Sequence, residues 1–241
     1  MSTSHEFQNQ AYKASATKNV TDTLCNAPVR SAGQGTRITN IVLVIFTTAS
    51  VVSRFVYKIF FSDGELGGDD YSLMAAFVTG LPSVVVIDKG IVPNGLGLDI
   101  WTVPFDHITA FLRYLYVLGF LYSVEVALIK LTLLFFFLRI FPKPRTRRLI
   151  WATIIFNGIW TLAFNIIGIF SCQPINYYWT SWDREHKGTC LNLNALAWSH
   201  AIISIVLDIW MLALPLHEVF QLQLNWRKKI SVSLMFFVGT L

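Results

Sequence analysis

The sequence predicts an all-α fold, a bundle of membrane-spanning helices with five complete spans and part of a sixth. Three observations predict it. The chain of 241 residues is 54% hydrophobic and only 14% charged, whereas a soluble domain averages about 25% charged residues. Apolar stretches of about 20 residues, the length that crosses a bilayer, recur along the chain. Short polar segments rich in Lys and Arg separate these stretches, as is typical of membrane proteins.

Residues 1–37 are predicted to be a flexible tail. They are polar and include SAGQGT at 31–36, a composition typical of loops. Because they contain no apolar core of the kind found in a cleaved signal peptide, the first span is expected to act as an uncleaved anchor. Asn19 begins Asn-Val-Thr, a glycosylation acceptor sequence that has meaning only if the tail lies outside the cell.

Residues 38–241 are predicted to form one transmembrane domain. The first stretch, 38–61, is rich in β-branched residues, but a lone strand would leave backbone groups unpaired in lipid, so a helix is predicted. The second, 70–91, begins with acidic residues at the positive end of the helix dipole and contains Pro82, which is expected to kink it. The remaining complete spans are predicted at 110–141, 149–171 and 195–220.

A sixth apolar stretch, 230–241, is too short to cross the membrane. Its 12 residues would reach about 18 Å as a helix, against a hydrocarbon core of about 30 Å. We therefore expect the chain to stop partway through a sixth helix and to represent part of a longer architecture.

Two compact groups of basic residues predict the orientation. One lies within 139–148 and the other spans 227–229, and both lie on the same side of the membrane if the spans alternate. Because cytoplasmic loops carry an excess of Lys and Arg, these groups are assigned to the cytoplasm. Arg30 and Arg37 favour the opposite orientation, but they form a weaker local bias. The N-terminus is therefore expected outside, and the protein in the plasma membrane.

The cysteines fit this orientation. Cys172 and Cys190 share one outer loop, where a disulfide bond can persist. The alternative is two free thiols near the membrane interface. Together with Cys25, they are too few for a disulfide-dense scaffold, and they lack the spacing of a zinc site.

Three ionisable residues within the predicted spans form a candidate intramembrane site. Glu125, Lys130 and Asp208 each lie near the middle of the bilayer, counted from the cytoplasmic ends of their helices. An unpaired charge at this depth costs about 2.5–3.5 kcal/mol on insertion scales, so we expect Lys130 to pair with Asp208. The cluster is interpreted either as a ligand, ion or proton site or as packing between helices. Glu125 has no evident cation and is expected either to be protonated or to face a cavity.

The outer loop GLGLDIW is expected to be a structural turn, since Gly95 and Gly97 permit tight backbone conformations. The alternative is a second candidate site, in which Asp99 and Trp101 would contact a ligand.

The inner end of the first span carries two basic residues, Arg54 and Lys58. Their charged groups are expected by default to extend along the helix towards the membrane interface. The alternative is that they pair with Asp69 or Asp70 nearby.

No enzymatic signature emerges. His217-Glu218 begins a zinc-protease pattern, but Gln221 stands in place of the second histidine. The net charge of +5 does not point to nucleic acid, because the basic residues cluster at the ends of apolar segments. The lipid bilayer is the expected partner, and no metal, cofactor or reaction is predicted.

Six segments, taken in order, carry a resemblance to a known family. They are GGDDYSLMAAF, GLGLDIW, ALIKLTLLFFFLRIF, FSCQPINYYW, LDIWMLALPLHEVFQLQL and RKKISVSLMFFVGTL. Over roughly residues 38–241, the chain resembles the fungal rhodopsin-domain membrane proteins, which include the Pth-type receptor-like proteins. No single segment is specific, and their order carries the resemblance.

The resemblance implies a seven-helix protein with its N-terminus outside. Some relatives carry a cysteine-rich domain before the first helix, which the single Cys25 does not provide. A receptor-like role is implied, with a small-molecule ligand and a cytoplasmic signalling partner. The alternative is a membrane enzyme or transport accessory of a secondary-metabolite (toxin) pathway, and a third interpretation is a non-signalling fragment. Retinal is not implied, because the retinal lysine of light-driven pumps lies in the seventh helix, unlike Lys130.

Overall fold

The elements of the bundle are five long helices, one short helix and one small hairpin. The computed structural model describes residues 17, 20, 21, 24, 25, 33–61, 67–99, 102–182 and 186–221. In chain order the elements are α1 (Gly33–Phe60), α2 (Gly68–Val85) continued by a π-helix (Val86–Ile91), α3 (Phe105–Ile140), α4 (Pro144–Ile169), β1 (Cys172–Gln173), α5 (Tyr177–Thr180), β2 (Thr189–Cys190) and α6 (Leu193–Gln221). Helices α1, α2 with its continuation, α3, α4 and α6 are long and apolar enough to cross a membrane. The predicted all-α bundle of membrane spans is confirmed.

Helix α1 begins at Gly33 rather than at residue 38, so most of the SAGQGT segment that was predicted as loop is helical. Long-range contacts explain the difference, since they override weak local propensity. The backbone at Gly33 lies against the Leu96 carbonyl oxygen, which a Cβ would approach to 3.3 Å. One turn later, Arg37 Nε lies 2.6 Å from Asp88 Oδ1 in the π-helix that continues α2.

Helix α3 begins at Phe105, five residues before the predicted start of the third span at residue 110. Pro104 precedes the helix with extended backbone, and Asp106 lies in the first turn. An acidic side chain there interacts favourably with the positive end of the helix dipole, a signal that the apolar count alone overlooked.

Helix α4 begins at Pro144 instead of residue 149. Proline suits the first helical position, because its missing N–H would have no partner there. Arg145, Arg147 and Arg148 therefore lie on the first turns of α4 instead of in a free turn.

Pro82, predicted to kink the second span, lies inside α2. Proline removes one helical N–H donor from the ladder. A few residues later the backbone changes to the wider π spacing, in which the Val92 N–H donates to the Ile87 carbonyl at 2.9 Å.

Helix α3 is central, packing against α2 on one side and α4 on another. We name the end of the bundle near residues 139–148 inner and the opposite end outer, after the predicted orientation. A buried apolar cluster joins the inner halves of α3, α4 and α6: Leu134, Phe137, Ile150, Met211 and Leu214. Other large apolar side chains, including Ile45, Phe46, Ile159 and Ile205, are more than half exposed. Patches of this kind are rare on soluble monomers and suit a surface in contact with lipid tails. The bundle is thus a multi-pass membrane domain.

The outer loop before α6 is held by a short hairpin. Strands β1 and β2 pair antiparallel with Cys172 opposite Cys190, and the two cysteines form a disulfide bond, as predicted. The Trp182 indole N–H donates to the Thr109 hydroxyl at 3.0 Å, which ties this loop to the outer end of α3.

Several predictions fall outside the described residues. Asn19 of the glycosylation sequence, Trp101 and the partial span 230–241 all lie there. Within the predicted tail, the Cys25 N–H donates to the Thr21 carbonyl at 2.9 Å, which is a helical turn.

Candidate functional site

A cavity of about 330 Å³ lies between the outer halves of α3, α4 and α6, with Tyr178 of α5 at its outer end. Aromatic and aliphatic side chains form most of its wall, among them Leu115, Phe120, Phe164 and Leu196. Walls that are mostly apolar and carry a few polar groups are typical of small-molecule sites. Burial raises the pKa of the Tyr178 hydroxyl, and the nearby Tyr116 raises it further, so this group remains neutral at physiological pH.

Two polar pairs fix the wall between α3 and α4. The Ser123 hydroxyl bonds to Asn165 Oδ1 at 2.9 Å, and the Asn165 amide donates to the Thr161 carbonyl at 2.8 Å. Nearer the outer end, the Tyr116 hydroxyl donates to the Ile169 carbonyl at 3.2 Å. These side chains are held in place by the protein itself.

His200 of α6 differs from the other polar lining residues. Its ring stacks on Phe164, with centroids 4.1 Å apart and planes 28° from parallel. Both ring nitrogens are shielded from solvent, and neither has a hydrogen-bond partner among the residues that the structure describes. Buried polar atoms are nearly always hydrogen-bonded, so His200 marks this cavity as a place for polar recognition.

Lys130 lies at the inner end of the cavity, where it contacts Ser204. Its ammonium group donates to the Ser204 carbonyl at 2.8 Å and to the Ser204 hydroxyl at 2.6 Å. Asp208 Oδ1 lies 3.0 Å from the same nitrogen. The three contacts match the three donors of an ammonium group. Lys130 is buried, with 7% of its side chain exposed, whereas 47% of the Asp208 side chain is exposed.

Exchanging the charges of Lys130 and Asp208 tests this pair. We expect Lys130→Asp and Asp208→Lys each to lower the yield of folded protein, because each places like charges together within the membrane. An unpaired charge there costs about 2.5–3.5 kcal/mol. The double exchange is expected to recover much of the yield, measured by detergent size-exclusion chromatography. A double variant no better than either single variant would contradict the pairing.

Glu125 does not join Lys130 and Asp208. Its carboxyl group lies over Gly80 of α2, where a Cβ would come within 3.1 Å of Oε1. The side chain of Ser83, also on α2, lies beside it, although the Ser83 hydroxyl makes no regular hydrogen bond within the described ranges. Glu125 therefore faces α2, while Lys130 faces α6. A five-residue separation, roughly 140° around a helix, accounts for this.

An ion cluster joins the inner ends of α1, α2 and α3. Arg54 Nη2 lies 2.7 Å from Asp69 Oδ2 and 3.3 Å from Asp70 Oδ1. Lys58 forms a close ion pair with Asp70, so these cations adopt the pairing that was the alternative expectation. Arg139 Nη1 of α3 adds a contact with Asp69 at 3.8 Å, which the sequence did not indicate. The two carboxylates are almost fully buried, at 2% and 1% exposed.

A second polar contact joins the inner ends of α4 and α6. Glu218 lies 2.7 Å from Lys143 Nζ and accepts a 2.5 Å hydrogen bond from the Thr146 hydroxyl. Sequence reasoning weighed Glu218 only as part of an incomplete zinc-protease pattern.

The outer-loop candidate, Asp99, belongs to a turn. Its backbone carbonyl accepts bonds from the Thr102 N–H at 2.9 Å and the Thr102 hydroxyl at 2.7 Å. Gly95 and Gly97 have positive φ angles of 111° and 76°. This backbone conformation favours glycine and agrees with the interpretation of this loop as a turn.

The side chain that sequence reasoning missed is His200. The sequence does not single it out, because one histidine in an apolar helix carries no periodic signal. His200 precedes Ser204 by one helical turn and Asp208 by two. This spacing indicates that the three residues share a helix face.

The fungal rhodopsin domain matches residues 35–241 of this chain. A SAT4 family membrane protein of Emericella nidulans is 34% identical over 122 residues, covering 49% of this chain and 31% of that protein. Satratoxin biosynthesis SC1 cluster protein 4 of Stachybotrys chartarum is 28% identical over 120 residues, covering 49% and 44%. Polyenoic acids biosynthesis gene cluster protein Ba17b of Metarhizium anisopliae is 23% identical over 206 residues, covering 83% and 55%.

These matches span 31% to 55% of the relatives' own lengths. No solved structure matches the chain significantly. The domain match covers most of the sequence, including every long helix. With its bundle of apolar helices, the chain therefore belongs to the fungal rhodopsin domain family of membrane proteins.

Proposed function

We propose that this protein is a receptor-like membrane protein that binds a small ligand from outside the plasma membrane. The observation that carries the proposal is the cavity of about 330 Å³ between α3, α4 and α6. Its size falls within the range of about 300–1,000 Å³ that is usual for small-molecule sites. With the N-terminus outside, the cavity lies in the outer half of the membrane, next to the disulfide-bonded hairpin. A ligand would then reach it from the outer side.

Helix α6 supplies the proposed connection to the cytoplasm. It carries His200 and Ser204 at the cavity and Glu218 at the inner end, where Glu218 contacts Lys143 and Thr146. A ligand shifts a conformational equilibrium only through different affinities for the two states. Binding that favours one position of α6 would move this inner contact, and the basic residues at the start of α4 would meet a signalling partner.

A cavity-filling substitution tests the receptor proposal. A Cβ added at Gly119, which lines the cavity, meets no atom within 4 Å. Gly119→Leu is therefore expected to fill the cavity without disturbing the helix contacts. Gly158 of α4 is equally open but does not line the cavity, which makes Gly158→Leu a matched control.

A deletion strain is complemented with each variant and then exposed to its own conditioned medium. The readout is its transcriptional response. We expect Gly119→Leu to need at least tenfold more medium for a half-maximal response, whereas Gly158→Leu responds normally. Unchanged sensitivity of the Gly119→Leu strain would contradict the receptor proposal.

A second candidate function is an accessory role, enzymatic or in transport, in a secondary-metabolite pathway. Support comes from the relatives, three of which are named as biosynthesis cluster proteins. Metabolite profiling of the deletion strain separates the two candidates. Loss of a product while the biosynthetic genes are transcribed normally would favour the accessory role and contradict the receptor role.

A further inference from the structure

The cavity has no charged wall. None of its 17 lining residues is Asp, Glu, Lys or Arg. The nearest cation is Lys130, whose three donors are directed at Ser204 and Asp208. An anionic ligand would therefore lose its hydration without gaining a free cation, which is costly in a low-dielectric site. A cationic ligand would find no carboxylate in the wall, and Asp208, which lies beyond the wall, is paired with Lys130. Both arguments favour a neutral ligand.

His200 supplies the available hydrogen-bonding atoms. Among the described residues that carry a buried polar atom without a partner, only His200 lines the cavity. Neutral imidazole offers one donor and one acceptor. By contrast, Ser123 and Asn165 bond to each other, and Ser204 accepts from Lys130. A hydroxyl or carbonyl group on the ligand would pair with the ring edge of His200.

Aromatic rings shape the remaining space. One face of His200 is covered by Phe164. Tyr116 meets Phe120 edge-on at a centroid distance of 4.7 Å and lies tilted against Tyr178 at 4.8 Å. Such walls favour flat ligands that stack or meet ring edges. A cavity near the small end of the usual size range limits the ligand to a few fused rings or a short chain.

From these contacts we propose that the cavity binds a small, neutral, flat, largely apolar molecule through one hydroxyl or carbonyl group that is hydrogen-bonded to His200. This assignment rests on the proposed ligand-binding function and specifies the class of ligand. His200 is its specificity-determining residue.

Three probes of matched shape test the class: 1-naphthol, naphthalene and 1-naphthoate. Their binding to the full chain in lipid nanodiscs is measured by equilibrium dialysis at neutral pH, with subtraction of the partition into empty nanodiscs. We expect 1-naphthol to bind at least tenfold more tightly than either of the other probes. Equal binding of 1-naphthoate, or no binding of 1-naphthol above empty nanodiscs, would overturn the proposal.

Variants assign the preference to His200. His200→Phe keeps the stacked ring and is expected to abolish the advantage of 1-naphthol over naphthalene, while His200→Gln, which keeps a donor and an acceptor, retains part of it. His107→Phe is the matched control, because His107 is exposed at the start of α3 and does not line the cavity. A preference that persists in a folded His200→Phe protein would overturn the role of His200.

The binding assay and the cellular assay fail independently. If purified protein binds 1-naphthol as expected but the Gly119→Leu strain keeps its response to conditioned medium, the ligand class stands and the receptor proposal fails. If the strain loses its response but purified protein binds 1-naphthoate equally well, the receptor proposal stands and the ligand class fails.

Discussion

Replacement of Asp70 by Ala is expected to remove most of the folded protein from a membrane preparation. The Asp70 side chain is 1% exposed. It accepts from the Gly67 N–H at 3.0 Å and from Arg54 Nε at 3.3 Å, and it pairs with Lys58. Its loss leaves the partly buried Lys58 ammonium group without its closest anion and leaves the start of α2 without this cap.

The expected cost is about 3–5 kcal/mol, the range for removing one partner of a buried ion pair. This is a large part of a total stability of about 5–15 kcal/mol. The measurement is the folded fraction in detergent size-exclusion chromatography, together with the apparent melting midpoint. Asp106→Ala is the matched control, since Asp106 is exposed near the start of α3 and is expected to cost no more than about 1 kcal/mol, the value of its interaction with the helix dipole.

A double substitution separates lost pairing from lost packing. Lys58→Met combined with Asp70→Asn removes both charges and keeps similar volumes, so it is expected to be more stable than Asp70→Asn alone. This follows because replacing both partners costs less than leaving one unpaired. A double variant that is less stable than Asp70→Asn would show that the pair is not what holds these helix ends together.

Loss of the disulfide is expected to lower stability by about 3 kcal/mol, as for a closed loop of comparable length. Cys172 and Cys190 are 18 positions apart, and Cys172 is buried beside Ser171 of the cavity wall. The bond restricts the unfolded chain and holds the outer loop that carries Tyr178. Cys172→Ser with Cys190→Ser should therefore reduce the melting midpoint, whether or not a reductant is present.

The matched control is Cys25→Ser, because Cys25 is a free and exposed thiol. Its melting midpoint should equal that of the parent protein. When a reductant is added, the midpoint of the parent should fall towards that of the double serine variant. Identical midpoints for the parent and the double serine variant would contradict a stabilising role for the bond.

Much of the bundle could be predicted from composition, because lipid admits few backbone solutions other than helices. The pairing of Arg54 and Lys58 with Asp69 and Asp70 was also accessible, since a short turn brings these residues to one membrane edge. The contact of Arg139 with Asp69 could not be predicted in this way, because it depends on how α3 packs beside α2.

The helix ends and the cavity were harder to predict from the sequence. The start of α1 depends on contacts with Leu96 and Asp88, far away in sequence, which no local composition reveals. Glu125 and Lys130 were grouped by depth, but direction around α3 separates them. The cavity arises between three helices, so the importance of His200 is visible only once α4 places Phe164 against it.

The ion cluster at the inner helix ends also bears on how the chain enters the membrane. Asp70 follows Lys58 by 12 positions and Asp69 follows Arg54 by 15, whereas Arg139 lies on α3. Chains are synthesised from the N-terminus at about 5–20 residues per second, so these carboxylates leave the ribosome within seconds of their cations. The first two helices can thus insert as a charge-neutralised hairpin, and the third is added to a pair already assembled.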